Sequence, residues 1–468
     1  MVVGVNAQRP WRLAETVEQQ NYRFGGGASA TLLNPVIAVA MLLAVVLILC
    51  LPRKHISVPL LLAIFLTPRV QALVVAGIHL NVYRVVLLAG LARWVMMRRS
   101  ARPAGGFSLI DRLYMLFALS NFIVFTLQYF QTAALIKSLG DLLDSLAGYV
   151  VIRFVIRDRD DMRRAIRVFA LIAVIMGLEM IYEQRTGHDL FAQLCGMLGA
   201  PETRGGKIRS QGAFLHSIPA GAFGATLVPL LVWLWSDGES RSVAFLGFLG
   251  ASVMTFTCHS STVLGCYVAG IFALCLWPLR KQMRLIRYGL ATTVIGLHLV
   301  MKGPVWSLLE HIDLTGSSES FHRYQLVDTF IKHFWDWWLL GTRENGSWGW
   351  EMADTSNQYV TYGISGGLLT FVLFIAIISR CYGRLGSTRK LVEGNRAEEW
   401  VCWCLGAAMF AHLVVFIGID YFDQSQYTWI TLLVMISMTV SRVKSRKTHP
   451  VYDMHELELA GAQSSAGW

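Results

Sequence analysis

Arg209, with Lys207 two residues ahead of it, closes the stretch Gly205-Gly206-Lys207-Ile208-Arg209-Ser210-Gln211-Gly212 just before an apolar run. An arginine fork matches phosphate oxygens bidentately, and a cation at a membrane surface is well placed for a lipid diphosphate. The same pair would equally hold ordinary anionic headgroups. A second candidate is His322-Arg323, where a histidine able to titrate near neutral pH stands beside another possible phosphate ligand. The plain alternative is the solvated face of an interfacial helix. The third is Asp354 with Asn357, three residues apart, just before an apolar helix expected from Tyr359. That spacing places both on one helical face, where a partly desolvated carboxylate can accept a proton from a sugar hydroxyl. Asp and Asn are also the residues that cap helices, so a capping role competes.

The elements that must position these residues are helices. In Ser320–Trp335, Tyr324, Val327, Ile331 and Phe334 recur at three- and four-residue steps, which predicts an amphipathic helix lying on a membrane surface. Trp335, Trp337 and Trp338 suit the headgroup layer. Around this segment the chain is apolar: 54% of its 468 residues are hydrophobic and 15% charged, against about 25% charged in soluble domains. Apolar segments near Val36–Leu51, Val58–Gly77 (broken at Pro68-Arg69), Leu80–Met97, Leu113–Phe130, Leu135–Ile156, Arg164–Tyr182 and His216–Trp235 are candidate spans. Others lie near Val243–Thr257, Thr262–Pro278, Leu285–Met301, Tyr359–Ser379, Val401–Ile419 and Trp429–Ser441. The expected fold class is therefore an all-α polytopic membrane protein with about twelve or thirteen transmembrane helices. No strand-like alternation, fixed-period repeat or appended soluble domain is visible. The reading is a polar tail over 1–30, one transmembrane domain over 31–447, and a tail over 448–468 of disordered composition.

The net charge of +11 does not indicate nucleic acid. The basic residues cluster in alternate short connections: Arg98, Arg99 and Arg102; Arg157, Arg159, Arg163, Arg164 and Arg167; Arg280, Lys281, Arg284 and Arg287; Arg380, Arg384, Arg389, Lys390 and Arg396; and Arg442, Lys444, Arg446 and Lys447. By the positive-inside rule these are cytoplasmic, as is the C-terminus, and the long connections Glu183–Leu215 and Lys302–Gln358 fall on the opposite side. Of eight cysteines only Cys195 lies within a long outer connection, so no disulfide framework is implied, and Cys402 and Cys404 are spaced onto different helix faces. Asp158-Arg159-Asp160 has the Asp-x-Asp form of metal-holding glycosyltransferases, yet it stands among arginines in a short connection and reads as a solvated charge run. No nucleotide-binding glycine loop is present, and no metal or cofactor is expected. Titratable residues within spans are His79, Arg84, Asp141, Asp144, Glu179, His298 and His412. They are scattered, and each reads as satisfying buried partners more readily than as a relay.

Several short motifs, in this order, resemble the O-antigen ligase and polymerase superfamily of bacterial inner-membrane proteins. They are Arg209-Ser210-Gln211-Gly212-Ala213-Phe214, Thr257-Cys258-His259-Ser260-Ser261, Ser320-Phe321-His322-Arg323, Leu340-Gly341, and Asn357-Gln358-Tyr359 followed by Gly363 and Gly366-Gly367. The resemblance implies a metal-independent, inverting glycosyltransferase of the GT-C type in the bacterial inner membrane. Its donor would be a glycan on undecaprenyl diphosphate, and its acceptor another glycan or a lipid A-core type molecule. It implies diphosphate contacts at Arg209 and Arg323. The chain departs clearly from the ligases where Ser356, not histidine, precedes Asn357, which leaves Asp354 as the nearest proton acceptor. The Ser-Arg frequent between the paired helices reads Ser260-Ser261. The alternatives are a transporter or flippase for lipid-linked sugars, for which paired broken helices or inverted repeats would be expected, and a non-catalytic component of an envelope-polysaccharide assembly.

Overall fold

The computed structural model describes residues 31–448 except 32, 69–70, 76–77, 98–105, 195–201, 312–318 and 423. Both tails, the first arginine cluster and Cys195 lie outside the described residues. The chain folds as α1 (Pro35–Cys50), α2 (Ser57–Leu66), a β1–β2 hairpin (Ala72–Val75, Ile78–Asn81), α3 (Val82–Met96), α4 (Leu109–Tyr129), α5 (Thr132–Val155) and α6 (Arg159–Thr186). After a single turn, α7 (Leu190–Leu194), come a β3–β4 hairpin (Thr203–Arg204, Lys207–Ile208), α8 (Ser217–Asp237), α9 (Arg241–Thr257), α10 (Ser261–Cys275) and α11 (Met283–Val300). The remainder is α12 (Glu319–Lys332), the short α13 (Phe334–Trp337), α14 (Gln358–Leu391), α15 (Arg396–Val415) and α16 (Ser425–Thr448). Five of the described helices begin where a side chain satisfies their first N–H groups. Asn34 caps α1 ahead of Pro35, Ser108 and Asp111 form a capping box on α4, and Asp158, Asn357 and Asn395 cap α6, α14 and α15.

Among the described residues five helices, α4, α6, α8, α14 and α15, are long and apolar enough to cross a membrane. The segment Val58–Gly77 is not one continuous helix. α2 ends at Leu66, and the chain turns through the antiparallel β1–β2 pair, in which Ala72 faces Asn81. Two two-stranded hairpins therefore stand where strand was not expected. Each is only two to four residues long, too short for alternation to show.

The core is built on close backbone approaches. A Cβ at Gly250 would stand 2.4 Å from the Ala173 carbonyl oxygen, and one at Gly224 would stand 2.5 Å from that of Ala251. Small residues thus let α9 pack tightly against α6 and α8, the common means of helix association in membranes. At one end of the bundle the arginine-bearing connections are tied together. Arg53 pairs with Asp161 (2.6 Å), Arg163 with Asp237 (2.6 Å), Arg442 with Glu398 (2.6 Å), and Arg280 and Arg389 both with Glu399 (3.2 Å each). The Asp158-Arg159-Asp160 run belongs to this network. Asp158 caps α6, Arg159 reaches Asp237 and Glu398, and Asp160 pairs with Arg163. Among the described residues no group of acidic, histidine and cysteine side chains is arranged to hold a metal.

At the other end, the late connection is joined to a broken helix. α14 is interrupted at Gly367, whose φ of +64° and ψ of −173° are not helical. The freed backbone groups are met from the connection: Thr342 N–H donates to the Ile364 carbonyl (2.9 Å), and Leu368 N–H donates to that of Trp338 (2.8 Å). Beside this join, Leu326, Phe330, Trp337 and Met352 pack on Val360 and Ile364 of α14.

Candidate functional site

The opposite end from the arginine network gathers four separate pieces of chain. The first is the β3–β4 hairpin and its exit. Arg209 N–H closes onto the Glu202 carbonyl (2.8 Å), Ser210 N–H onto that of Thr257 (3.2 Å), and Ser210 Oγ onto that of Met180 (2.9 Å). Glu183, fully buried on α6, accepts the N–H groups of Gln211 and Gly212 (2.9 and 3.1 Å). Asp189 caps α7 through Phe191 and Ala192, and Glu179 accepts from Leu190 N–H. These acids organise the backbone under Arg209.

Arg209 itself is 2% exposed. Its Nε donates to the Cys258 carbonyl (3.1 Å), and its Nη1 forms an ion pair with Glu202, whose side chain is 44% exposed. The guanidinium is thus anchored on the turn between α9 and α10, with one partly solvated counter-charge. Lys207 is exposed on the hairpin. His259, in the α9–α10 turn at φ +47°, lies 2.6 Å from Gln184. Desolvation, then the charges of Lys207 and Arg209, hold its imidazole below the ordinary histidine range, so it favours the neutral form.

The third piece is α12. The apolar stripe Tyr324, Val327, Ile331 and Phe334 is expected to lie on the membrane surface, with the polar side of the helix facing a shallow cavity. The buried stripe is Ser320, Arg323, Leu326, Thr329 and Phe330, while Ile331 is exposed. Both stripes have helical spacing, and tertiary packing selects the one that carries Arg323 inward. Arg323 is 8% exposed and approaches the turn after α15: a Cβ at Gly418 would lie 3.0 Å from Arg323 Nε and 2.6 Å from Thr262 Oγ1 on α10. Arg209 and Arg323, 114 positions apart in sequence (323 − 209), therefore both come to the segment Cys258–Thr262. His322 is half-buried, and its Nε2 is buried without a hydrogen-bond partner among the described residues.

Asp354 and Asn357 do not share a helical face. α14 begins only at Gln358, and Asp354 lies in the preceding extended segment, exposed and with no side-chain hydrogen bond among the described residues. Asn357 is 2% exposed and fully used. Its Oδ1 accepts from Tyr359 and Val360 N–H, and its Nδ2 donates to the Ile417 carbonyl (3.0 Å). Next to it, Gln358 exchanges bonds with Phe416 and Tyr421. Asn357 is therefore the cap that fastens α14 to the α15–α16 turn. Beneath it is a small pocket lined by Tyr114, Tyr362, Tyr421 and Trp429.

Among residues in spans, Arg84 makes a two-point contact with Asp144, its Nε to Oδ1 (2.9 Å) and Nη2 to Oδ2 (2.8 Å), and Asp141 pairs with Lys137. His412 faces the Tyr421 hydroxyl (2.9 Å), and His298 stacks on Trp306. Arg84 with Asp144 and His412 with Tyr421 are the buried pairings expected, whereas Asp141–Lys137 and His298–Trp306 are solvent-accessible. The sequence reading did not single out Glu183, Glu202, Thr262 and Gly418, because their importance arises only when the four pieces meet. The glycine within the apolar stretch Phe416–Ile419 is the one local sign of a close approach.

No protein-family model matches the chain, and no curated protein matches it in sequence.

Proposed function

We propose that the chain is a membrane-embedded transferase that moves a glycan from a lipid diphosphate, of the undecaprenyl type, to an acceptor sugar, working at the end of the bundle away from the arginine network. The reading begins from the resemblance to the O-antigen ligase and polymerase superfamily. One observation supports it above the rest: Arg209 and Arg323, the two residues matched to diphosphate contacts, converge on the Cys258–Thr262 turn. Two buried guanidinium groups in a poorly solvated site stabilise the charge that develops on a departing diphosphate, which is where catalysis gains most. Lys207, exposed beside them, adds attraction for the incoming anion, and His322 lines the approach from α12.

In this reading the acceptor hydroxyl attacks the anomeric carbon as the bond to the diphosphate oxygen breaks. Asp354, solvent-open and unencumbered, takes the hydroxyl proton, while Asn357 holds the junction in shape. In this reading the end lies outside the cytoplasm of a bacterial inner membrane, which the clustering of arginines at the opposite end supports. The deciding experiment is an assay of purified protein with undecaprenyl-diphosphate oligosaccharide, scoring release of the lipid diphosphate and transfer of the glycan together. Release coupled to transfer is expected. Movement of intact lipid-linked sugar across a vesicle membrane, with no bond broken, would replace this reading with a transporter.

A further inference from the structure

α4 and α14 run antiparallel, and side chains fix the register between them. Ser120 Oγ lies 2.8 Å from Thr370 Oγ1, and the Phe117 ring lies 6.0 Å from that of Phe374. Continuing this register toward the arginine end brings Arg112, in the first turn of α4, level with the turn Ile378–Arg380 of α14. Arg112 and Arg380 are exposed, and Arg384 is half-buried. The ion pairs of this end among the described residues tie Arg53, Arg163, Arg280, Arg389 and Arg442 to carboxylates, and none reaches Arg112, Arg380 or Arg384. Asp111, next to Arg112, is turned inward to Tyr149 and Ser437. Arg380 and Arg384 are four residues apart on one helix, a spacing at which like charges repel.

From this level two rows of side chains run toward the middle of the bundle. On α4, Arg112 is followed by Leu116, Leu119 and Ile123, which are 53%, 43% and 44% exposed. On α14, Arg384 and Arg380 are followed by Ala376 and Leu373, both half-buried, and by Leu369, 58% exposed. At 3.6 residues per turn each row stands roughly 100° around its helix from the contact through Ser120 and Phe117 with Thr370 and Phe374. Because the helices are antiparallel, both rows turn to the same side of the pair. The outer surface there is an apolar strip that ends in three guanidinium groups.

A phospholipid matches both parts. Its phosphate accepts from arginine forks and relieves their repulsion, while its acyl chains cover the leucine rows. A neutral lipid would leave the cations unmatched, and a soluble anion would leave the strip bare. Basic sites between transmembrane helices on the cytoplasmic side suit anionic headgroups in this way. We infer that α4 and α14 hold an anionic phospholipid, with its headgroup phosphate at Arg112, Arg380 and Arg384. The site lies at the opposite end of the bundle from Arg209 and Arg323, and it does not rest on the transferase reading.

The test uses the full chain in detergent, with native mass spectrometry counting bound lipid during titration with phosphatidylglycerol or phosphatidylcholine of identical chains. Wild-type protein should bind phosphatidylglycerol at least about tenfold more tightly. Arg112→Gln with Arg380→Gln and Arg384→Gln should weaken that binding by at least about tenfold, because each basic residue near an anionic headgroup contributes severalfold. Removing as many charges elsewhere, by Arg241→Gln with Arg284→Gln and Arg287→Gln on α9 and α11, should leave binding within about twofold of wild type. Arg380→Gln alone, at an exposed position that the fold does not use, should weaken binding about threefold or more and melt as wild type. Glycerol 1-phosphate, which carries the phosphate without the chains, should not displace the lipid. Equal binding of the two lipids by wild type overturns the site, as does unchanged binding in Arg380→Gln. Equal losses in the two triple variants would overturn it in favour of a diffuse charge effect, and displacement by glycerol 1-phosphate in favour of a free-anion site.

Discussion

At the scale of single residues, the proposed transfer rests on the contrast between Arg209 and Asp354. Arg209 is buried and divides its fork between the Cys258 carbonyl and Glu202. A lysine has one point of charge and cannot serve both, so Arg209→Lys should lower transfer about ten- to a hundredfold, the loss of a charge-assisted bond of roughly 1.5–3 kcal/mol. Wild-type turnover with normal protein levels would remove Arg209 from the site. Glu202 acts in the opposite direction, because its carboxylate competes with any incoming anion for the same guanidinium. The pair is partly solvated, so its strength is at most about 1 kcal/mol. Glu202→Gln should therefore tighten farnesyl diphosphate binding up to about fivefold, and weaker binding would show that Glu202 positions Arg209 rather than competing with the ligand. For Asp354, the isosteric Asp354→Asn removes proton uptake and nothing else the fold uses, so transfer should fall about a hundred- to ten-thousandfold while donor binding persists. If turnover is unchanged, proton acceptance passes to His322.

At the scale of elements, what could be read in the sequence depended on whether a signal was local. Helix existence was legible because the apolar runs are long, and Asn357 was a candidate cap by residue type, whereas Asp158 read as part of a solvated charge run and proves to cap α6. The role of Asn357 as a cap was open in the sequence, and the bond to Ile417 fixes its direction. The buried stripe of α12 mixes Arg323 and Thr329 with Leu326 and Phe330, so period alone does not mark it, and contact with α14 and the Gly418 turn defines it. The break in α14 was invisible for a related reason: Gly366-Gly367 sits within an apolar run, and glycine is common in membrane helices. Its partner, Gly341, has φ +72°, and a Cβ there would lie 1.9 Å from the Ile364 carbonyl oxygen, so no rotation of a side chain relieves the clash. Gly341→Ala should cost more than about 2 kcal/mol and lower the unfolding temperature measurably in detergent. An unchanged melt would mean that the join is not a fixed part of the fold.

At the scale of the whole molecule, the two ends of the bundle are chemically distinct. One is a lattice of arginines and carboxylates, and the other gathers hairpin, turn and α12 around two buried guanidinium groups. If the positive end is cytoplasmic, Ser347, exposed in the late connection, lies outside. Ser347→Cys in a cysteine-free background should react with an impermeant maleimide in intact cells. Reaction only after the membrane is opened would invert the orientation and remove the site from any externally facing chemistry.

The join between the late connection and α14 has a consequence for the movement of water. A broken helix in a membrane ordinarily exposes amide groups that exchange their hydrogens quickly. Here Thr342 and Leu368 donate across the break to Ile364 and Trp338, so its polar groups are closed off by a second strand of chain. Their deuterium uptake should be slow and should rise together, as one opening unit. In that case the gap in α14 is a seam that keeps solvent from following the broken helix inward.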